Sequence, residues 1–240
     1  MGLFDKKFCD FCGGKIGLLG NRKLSDGNMC KDCAADITPY LVGRKQYSVA
    51  DMKEHLASRK ANKERLAGFN ATRSLGINTK VHIDDSQGLL LVTSSRKYKE
   101  ENPDLIEFAQ VTGCILDIEE HKSEIKRKGA DGKDESYNPP RYNYTYDFYI
   151  TLNINHPWFD QIRFKANANT VDGRTSVEYR DTERQANEIR DVLQGLHNQV
   201  REAAVDAAKP KTSVVCPGCG ASTIPDQNGR CEYCGSAVNG

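Results

Sequence analysis

The sequence has no long apolar run and no excess of charge of one sign. Hydrophobic residues make up 38% of the 240 positions, charged residues make up 28%, and the formal net charge is +1. The densest apolar run spans only Leu89 to Val92, so we expect no membrane span and no membrane association. A protein that binds nucleic acid through its overall charge would be strongly basic, and this composition disfavours that class.

Motifs of the common enzyme classes are missing as well. The histidines are scattered, and the sequence contains no nucleophile elbow, zinc-protease helix, phosphate-binding loop or dinucleotide fingerprint. We therefore expect no catalytic residues, no small-molecule substrate and no enzymatic activity. The start MGLFDKKFC has lysines without an apolar segment behind them, which predicts a cytoplasmic protein.

Cysteine is abundant, and eight of the nine cysteines form four CxxC pairs near the two ends of the chain. Disulfide-rich secreted scaffolds scatter their cysteines, and a thioredoxin-like redox pair needs a βαβ context that this pattern lacks. Four thiolates at hairpin-like spacing suit the tetrahedral preference of zinc. We predict two zinc ions per chain. The predicted ligands are Cys9, Cys12, Cys30 and Cys33 in one site, and Cys216, Cys219, Cys231 and Cys234 in the other.

Glycines determine the expected shape of each site. A glycine follows the second cysteine of CDFC, CPGC and CEYC, where it permits the left-handed turn of a zinc knuckle. CKDC is instead followed by AADI, which predicts the start of a helix. We therefore predict a treble-clef-like zinc domain over residues 1–43 and a zinc ribbon over residues 214–240.

Residues 44–76 are predicted to form a basic linker helix. Residues 44–73 contain eight Lys or Arg side chains against three acidic ones, and Ser48 with Asp51 predicts a capping box at the helix start. We interpret the charges as a solvated face, and the alternative is a surface that contacts phosphates.

Residues 77–206 show strand patterns followed by one amphipathic helix. DDSQG predicts a hairpin turn, and apolar residues at every second position from Tyr142 to Ile154 predict a half-buried strand. The charged, Gly- and Pro-rich residues 126–141 are predicted to form an exposed, mobile hairpin loop, and residues 207–213 a linker. Cys114 is predicted to be a small core residue and Trp158 to anchor a turn. The order of elements predicts an α+β fold, a pleckstrin-homology-like antiparallel split barrel closed by a C-terminal helix from Thr182.

The segment CDFCGGKIGLLGNRKLSDGNMCKDC resembles the N-terminal zinc domain called domain of unknown function 4428, which occurs in bacterial and phage proteins. That family combines a CxxCG knuckle, a GLLG-type hairpin and a DGxxCxxC element. Residues 77–200 are similar to bacterial pleckstrin-homology-like β domains, with Ile106 to Val111 as an "IxFxxI" strand, and the tail is similar to generic zinc ribbons. These resemblances imply an architecture and zinc binding rather than a reaction.

Two functions remain open from the sequence. The first is a non-enzymatic zinc-binding interaction or adaptor protein whose partner is another protein. The second is a nucleic-acid-binding protein that uses the basic helix, the zinc ribbon and tyrosines between 142 and 146. Each four-thiolate zinc site carries about −2, so the metallated chain would be near −3. Residues 71–209 hold 19 basic and 23 acidic side chains, which disfavours nucleic acid and lipid as ligands of the β domain.

Overall fold

The computed structural model describes residues 7–208, 213–226 and 228–238 of the chain. It divides into two compact units, Met1–Asn198 and Gln199–Gly240. Residues 1–6 of the predicted N-terminal domain and residues 209–212 of the predicted linker lie outside the described ranges. None of the helices in these ranges has the length and apolar character needed to cross a bilayer.

The first unit begins with two small hairpins and one turn of 3-10 helix, Cys33–Asp36. The four strands are β1 (Lys7–Phe8), β2 (Lys15–Ile16), β3 (Arg22–Lys23) and β4 (Asn28–Met29). Strands this short bury little by themselves, and Leu24 and Met29 share their core with Met52 from the following helix. The hairpins therefore depend on that helix for an apolar interior.

Helix α1 (Val49–Gly68) starts at the predicted capping box, which the structure confirms. Ser48 Oγ accepts the backbone N–H of Asp51 at 3.1 Å, and the Asp51 carboxylate accepts the N–H of Ser48 at 2.7 Å. The Asp26 carboxylate, from the β3–β4 hairpin, accepts the N–H of Val49 at 2.7 Å. The helix occupies only part of the predicted 44–76 segment, because a 3-10 turn (Arg44–Gln46) precedes it and a strand follows it.

The first large sheet is an antiparallel meander of four strands. They are β5 (Arg73–Leu75), β6 (Lys80–Asp84), β7 (Leu89–Thr93) and β8 (Ile106–Glu107), with a short helix α2 (Tyr98–Glu101) before β8. The predicted DDSQG turn is confirmed between β6 and β7. The Asp84 carboxylate organises it by accepting hydrogen bonds from Ser86, Gln87 and the N–H of Asn70. These bonds, above all that from the Ser86 hydroxyl, lower the pKa of Asp84 to about 2.

The second large sheet is built around one long strand, β10. Its strands are β9 (Val111–Lys128), β10 (Asp134–His156), β11 (Phe159–Lys165) and β12 (Val171–Asp172). β9 pairs with one edge of β10, while β11 and β12 pair with the other edge over residues 145–156. The predicted alternation is confirmed, because the same face of β10 buries Tyr146, Phe148, Ile150, Leu152 and Ile154.

Residues 126–141 form the predicted hairpin, but the prediction that they are an irregular loop is wrong for most of that segment. β9 continues to Lys128 and β10 begins at Asp134, so only the residues between them form the turn. Ion pairs across the two strands explain how so charged a segment is ordered as strand. Lys128 Nζ lies 2.7 Å from Asp134 Oδ1, and Arg127 lies 3.6 Å from the Glu135 carboxylate.

Helix α3 (Val177–Ala208) begins at Val177 rather than at the predicted Thr182. Its N-terminal end packs on the second sheet, where the Tyr179 ring lies 5.0 Å from the ring centroid of Tyr146 and 5.2 Å from that of Phe148. The face that it buries further along consists of Ala186, Ile189, Leu193 and Leu196. The predicted 3.6-residue stripe is confirmed.

Cys114 and Trp158 are two single residues whose packing is predicted from the sequence. Cys114 is buried as predicted, its carbonyl accepts the Gln194 amide at 2.9 Å, and burial raises the pKa of its thiol to about 12. Trp158 lies in the turn between β10 and β11, with its ring 4.8 Å from that of His55 and 6.0 Å from that of Tyr47. Through Trp158 the second sheet joins the core of the N-terminal hairpins.

The second unit contains two short strands after the end of α3. β13 (Val214–Val215) pairs with β14 (Ser222–Thr223), and an isolated bridge joins Arg230 to Ala237. The buried cluster of this unit consists of Cys216, Cys231 and Val238, with Val214 partly buried against it. Cysteines therefore supply most of its interior.

Candidate metal centres

The first unit brings the four predicted N-terminal ligands together. The sulfurs of Cys9, Cys12, Cys30 and Cys33 all lie within 4.8 Å of one another, and those of Cys12 and Cys30 are 3.8 Å apart. A tetrahedral four-thiolate site with metal–sulfur distances of about 2.3 Å separates its sulfurs by about 3.8 Å. A disulfide needs about 2.05 Å, and all four thiols are free. This cluster could bind one zinc ion.

The second unit repeats this arrangement with the four C-terminal cysteines. Their sulfurs also lie within 4.8 Å of one another, with 3.5 Å between Cys216 and Cys234 and 3.8 Å between Cys219 and Cys231. Each short distance joins a cysteine of one CxxC pair to a cysteine of the other. Both pairs therefore face one central point, and this cluster too could bind one zinc ion.

Three of the four CxxC pairs adopt the same backbone turn. In each, the N–H of the glycine after the second cysteine donates to the carbonyl of the first cysteine at 2.8 Å. The N–H of the first cysteine donates to the carbonyl of the residue after that glycine, at 2.8 or 2.9 Å. The glycines are Gly13, Gly220 and Gly235, with φ of +69°, +72° and +72°. Because residues with a Cβ rarely adopt such φ values, glycine is favoured at these positions, and the predicted left-handed turns are confirmed.

The fourth pair, Cys30 and Cys33, has a different conformation, as predicted. The N–H of Ala34 donates to the Cys30 carbonyl at 3.0 Å, and the predicted helix start is the 3-10 turn Cys33–Asp36. We call residues 7–38, which contain the two hairpins and this turn, the hairpin module. Backbone N–H groups also point at sulfur: the N–H of Cys30 lies 3.3 Å from Cys9 Sγ, and the N–H of Cys33 lies 3.3 Å from Cys30 Sγ. Such donors stabilise thiolates around a metal.

Thiols with a lowered pKa occur in both clusters: Cys9 in the first, and Cys231 and Cys234 in the second. Burial by itself raises the pKa of Cys9, but backbone N–H groups, including that of Cys30, outweigh it and lower this pKa to about 6. In the second cluster the hydroxyl and the N–H of Ser236 lower the pKa of Cys234 to about 6. Both thiols are then largely ionised at neutral pH, as metal ligation requires. Ser236 is not predicted from the sequence, where its only signal is its position directly after Gly235.

A buried polar network around Arg59 ties the N-terminal hairpin module to α1 and to the segment before β8. Arg59 Nε donates to the Asp36 carbonyl at 3.1 Å, and its guanidinium also donates to the carbonyl of Asn102. Arg59 Nη1 lies 2.5 Å from Asp104 Oδ1, and the other oxygen of that carboxylate accepts the Thr38 hydroxyl at 2.6 Å. The two charged side chains are only 8% and 6% exposed. We call these residues the Arg59 network.

His55 adds a further contact between α1 and the hairpin module. Its Nε2 accepts the backbone N–H of Thr38 at 3.1 Å, so that nitrogen carries no proton. Burial lowers the pKa of His55 to about 4, with the charge of Arg59 acting in the same direction. The imidazole is therefore neutral at physiological pH and acts as a hydrogen-bond acceptor in a buried interface.

The predicted basic face of α1 is smaller than the sequence indicated. Arg59 is buried in its network, and two other residues of the 44–73 set have carboxylate partners: Arg65 lies 2.9 Å from Glu107, and Arg73 lies 2.8 Å from Asp85. The local charge of 44–73 does not include the carboxylates of Asp104, Glu107 and Asp85, because these residues lie in later segments of the chain. Fewer basic side chains are consequently available to phosphates than the local charge suggested.

The N-terminal part of the chain is similar to a known protein family. Residues 7–55 match the family described as Domain of unknown function (DUF4428). The match covers about a fifth of the chain, from β1 through the hairpin module to the first turns of α1. It confirms the resemblance seen in the CxxCG, GLLG and DGxxCxxC elements, and it includes the whole first cysteine cluster. No curated protein and no solved structure matches the chain.

Proposed function

We propose that the chain is a non-enzymatic, zinc-binding adaptor protein of the cytoplasm, of bacterial or phage origin, that binds a protein partner. The observation that carries this proposal is the shape of the second sheet, in which a long two-stranded ribbon extends past the other strands. Two complete four-thiolate clusters support the non-enzymatic part, because a zinc ion with four protein ligands has no open position for a substrate or water.

The proposed architecture is a zinc domain at 1–43, a linker helix segment at 44–76, a pleckstrin-homology-like domain at 77–206 and a zinc ribbon at 214–240. Two four-stranded antiparallel sheets followed by one long helix support the central domain. Knuckle turns at both CxxC pairs of the second unit support the ribbon. The knuckle and 3-10 turn of the first cluster support a treble-clef-like domain.

The two metal ions are the first testable part of the proposal. We expect purified protein to contain two zinc ions per chain, because each cluster supplies four thiolates at tetrahedral spacing. Elemental analysis by mass spectrometry measures this directly, and a Cys216→Ser, Cys231→Ser variant is expected to retain one zinc. Fewer than one zinc per chain, or iron in its place, would contradict the assignment.

The partner-binding surface that we propose is the ribbon arm, residues 119–144 of β9 and β10. β9 is exposed from Glu119 onward, and no third strand pairs with the ribbon before Thr145 among the described residues. Tyr142 and Tyr144 are 41% and 37% exposed, and the Lys122 ammonium lies 3.9 Å from the centroid of the Tyr142 ring. Exposed tyrosines next to basic side chains, on strands with a free edge, are typical of protein interfaces.

The charge of the ribbon arm favours a protein over a nucleic acid. Residues 119–144 contain six basic and six acidic side chains, so the arm has no net charge. A nucleic-acid ligand would need an excess of Lys and Arg to neutralise phosphates. A protein partner needs aromatic side chains and complementary pairs of both signs, which the arm supplies.

A capture experiment with arm variants tests the proposal. We expect Tyr142→Ser with Tyr144→Ser to reduce recovery of the partner from host lysate by about tenfold or more, because exposed aromatic anchors commonly contribute about 2 kcal/mol. Ile77→Ser with Val177→Ser removes two exposed apolar side chains elsewhere and serves as the control. Cross-linking followed by mass spectrometry identifies the partner. Equal recovery with both double variants would contradict the assignment of the arm.

Nucleic acid binding is the second candidate function, supported by the lysines of α1 and by the stacking of Lys122 of β9 on the Tyr142 ring of β10. The same capture experiment distinguishes it. The nucleic-acid proposal would replace the protein-binding one if two results are found. Nuclease would remove the recovered material, and the logarithm of the binding constant would fall with the logarithm of salt concentration with a slope of roughly −0.9 per phosphate.

A further inference from the structure

The turn between β2 and β3 carries the two most exposed large apolar side chains of the part of the chain that the structure describes. Leu18 is 90% exposed and Leu19 is 89% exposed. The N–H of Gly20 donates to the carbonyl of Gly17 at 3.0 Å, which closes a tight turn with the two leucines at its central positions. Both side chains therefore project from the tip of the turn without packing on the protein.

This tip is held in place by its base. Ile16, at the end of β2, is only 7% exposed and anchors the start of the turn. On the other side the Arg22 guanidinium folds back and donates to the Leu19 carbonyl at 3.3 Å. Exposing two neighbouring leucines to water is unfavourable in free energy. Exposed apolar surface of this kind is typical of binding sites.

The surroundings of the tip are basic. Residues 15–23, KIGLLGNRK, contain three basic side chains and no acidic one. Lys7 lies opposite Ile16 in the β1–β2 pairing, next to the start of the turn. Lys7, Lys15 and Lys23 are exposed, and Arg22 is half-buried. The two leucines are thus flanked by basic residues on both strands of the turn and on the neighbouring strand β1.

We propose that this Leu18–Leu19 tip docks the protein on a membrane surface that contains anionic lipids. The leucines would enter the boundary between headgroups and acyl chains, while the basic side chains would remain at the level of the lipid phosphates. Weak apolar insertion combined with several basic residues is the two-signal arrangement that gives stable but reversible membrane attachment. The inference goes beyond the adaptor proposal and does not depend on the ribbon arm.

The size of the tip favours a membrane over a protein as its ligand. A specific protein interface buries about 800 Å² on each partner and is enriched in aromatic and Arg anchors. Two leucine side chains at a convex turn supply much less area, and leucine is under-represented among interface hot spots. A lipid surface requires no complementary shape and attracts the surrounding positive charge.

Vesicle sedimentation tests the inference with the full-length, zinc-loaded chain. We expect the wild-type protein to sediment with vesicles of phosphatidylglycerol and phosphatidylcholine, and not with vesicles of phosphatidylcholine alone. Leu18→Ser with Leu19→Ser is expected to weaken binding by about tenfold or more, since it removes the buried apolar surface. Lys15→Gln with Lys23→Gln is expected to weaken it to a similar extent, because each basic residue contributes roughly fivefold at an anionic surface.

Matched controls separate insertion from adsorption by charge. Val42→Ser with Ile77→Ser removes two other exposed apolar side chains, and Arg96→Gln with Lys97→Gln removes two other exposed charges. Both are expected to leave vesicle binding unchanged. Unchanged zinc content together with an unchanged circular dichroism spectrum shows that every variant is folded. In a Leu19→Trp variant, added vesicles are expected to shift the fluorescence emission to shorter wavelength.

Any of four results overturns the inference: no sedimentation with anionic vesicles, equal binding of the Leu18→Ser, Leu19→Ser variant, equal binding to neutral vesicles, or unchanged emission from the Leu19→Trp variant. If the Leu18→Ser, Leu19→Ser variant binds vesicles normally but no longer captures a protein from host lysate, the tip is a protein contact instead.

Discussion

Changing Arg59 to methionine is expected to lower the free energy of unfolding of the first unit by about 3–5 kcal/mol. The substitution leaves the Asp104 carboxylate buried without its counter-ion, and removal of one member of a buried ion pair is far more costly than loss of a surface pair. It also removes the donors that satisfy the backbone carbonyls of Asp36 and Asn102. Urea unfolding of zinc-loaded protein, followed by the fluorescence of Trp158, measures the change.

Two further variants make this result specific to the ion pair. Lys60→Met, at the exposed neighbouring position on α1, is expected to change the free energy of unfolding by no more than about 0.5 kcal/mol. Arg59→Met combined with Asp104→Leu removes both charges, and it is expected to recover most of the lost stability. If Arg59→Met alone unfolds at the same urea concentration as the wild type, the Arg59 network has no structural role.

Removal of metal is expected to unfold the second unit completely while the two large sheets remain folded. The buried cluster of the second unit consists of two cysteines of the candidate metal centre and one valine, so without metal it would have almost no apolar interior. Metal binding in such a module supplies the free energy of folding, with apparent values of about 10–16 kcal/mol in zinc-finger peptides. The second sheet instead has its own core of alternating residues along β10.

Hydrogen exchange with mass spectrometry after chelation measures the extent of unfolding along the chain. Amides in 213–226 and 228–238 are expected to lose protection entirely. The hairpin module at 7–38 is expected to lose protection partly, because Leu24 and Met29 keep their contacts with α1. Cys216→Ser with Cys231→Ser should reproduce only the loss at the C-terminal end. Simultaneous loss of protection in β10 and β11 would show that the sheets depend on metal.

Features encoded within a few neighbouring residues could be predicted from the sequence. The CxxC spacing and the following glycines predicted the clusters and the knuckles. Ser48 and Asp51 predicted the start of α1, because both partners of a capping box lie three residues apart. The alternation along β10 predicted its buried face. In each case the residues that form the contact or share the face lie in one short segment.

Contacts between distant segments could not be predicted in this way. Arg59 was counted as a surface charge because its partner Asp104 is 45 residues away. The charged composition of 126–141 predicts an irregular hairpin loop, because the ion pairs that stabilise the strands there join residues of two different strands. The GLLG motif was recognised, but its sequence does not reveal that Leu18 and Leu19 project into solvent. The expectation of no membrane association relied on long apolar runs and total charge, and neither measure detects a two-residue tip.

The double cap at the start of α1 imposes a constraint on chain length. Asp26 and Ser48 fix the first residue of the helix, and Met52, His55, Arg59 and Leu66 then fall on one buried face. One residue inserted between Ser48 and Met52 would rotate everything after it by about 100° around the helix axis. Met52 would leave the hairpin core, and the guanidinium of Arg59 would point away from Asp104. The number of residues between Ser48 and the buried face of α1 is therefore constrained, in addition to the residue types. The exposed turn at 129–133 can instead accept insertions without rotating any buried group.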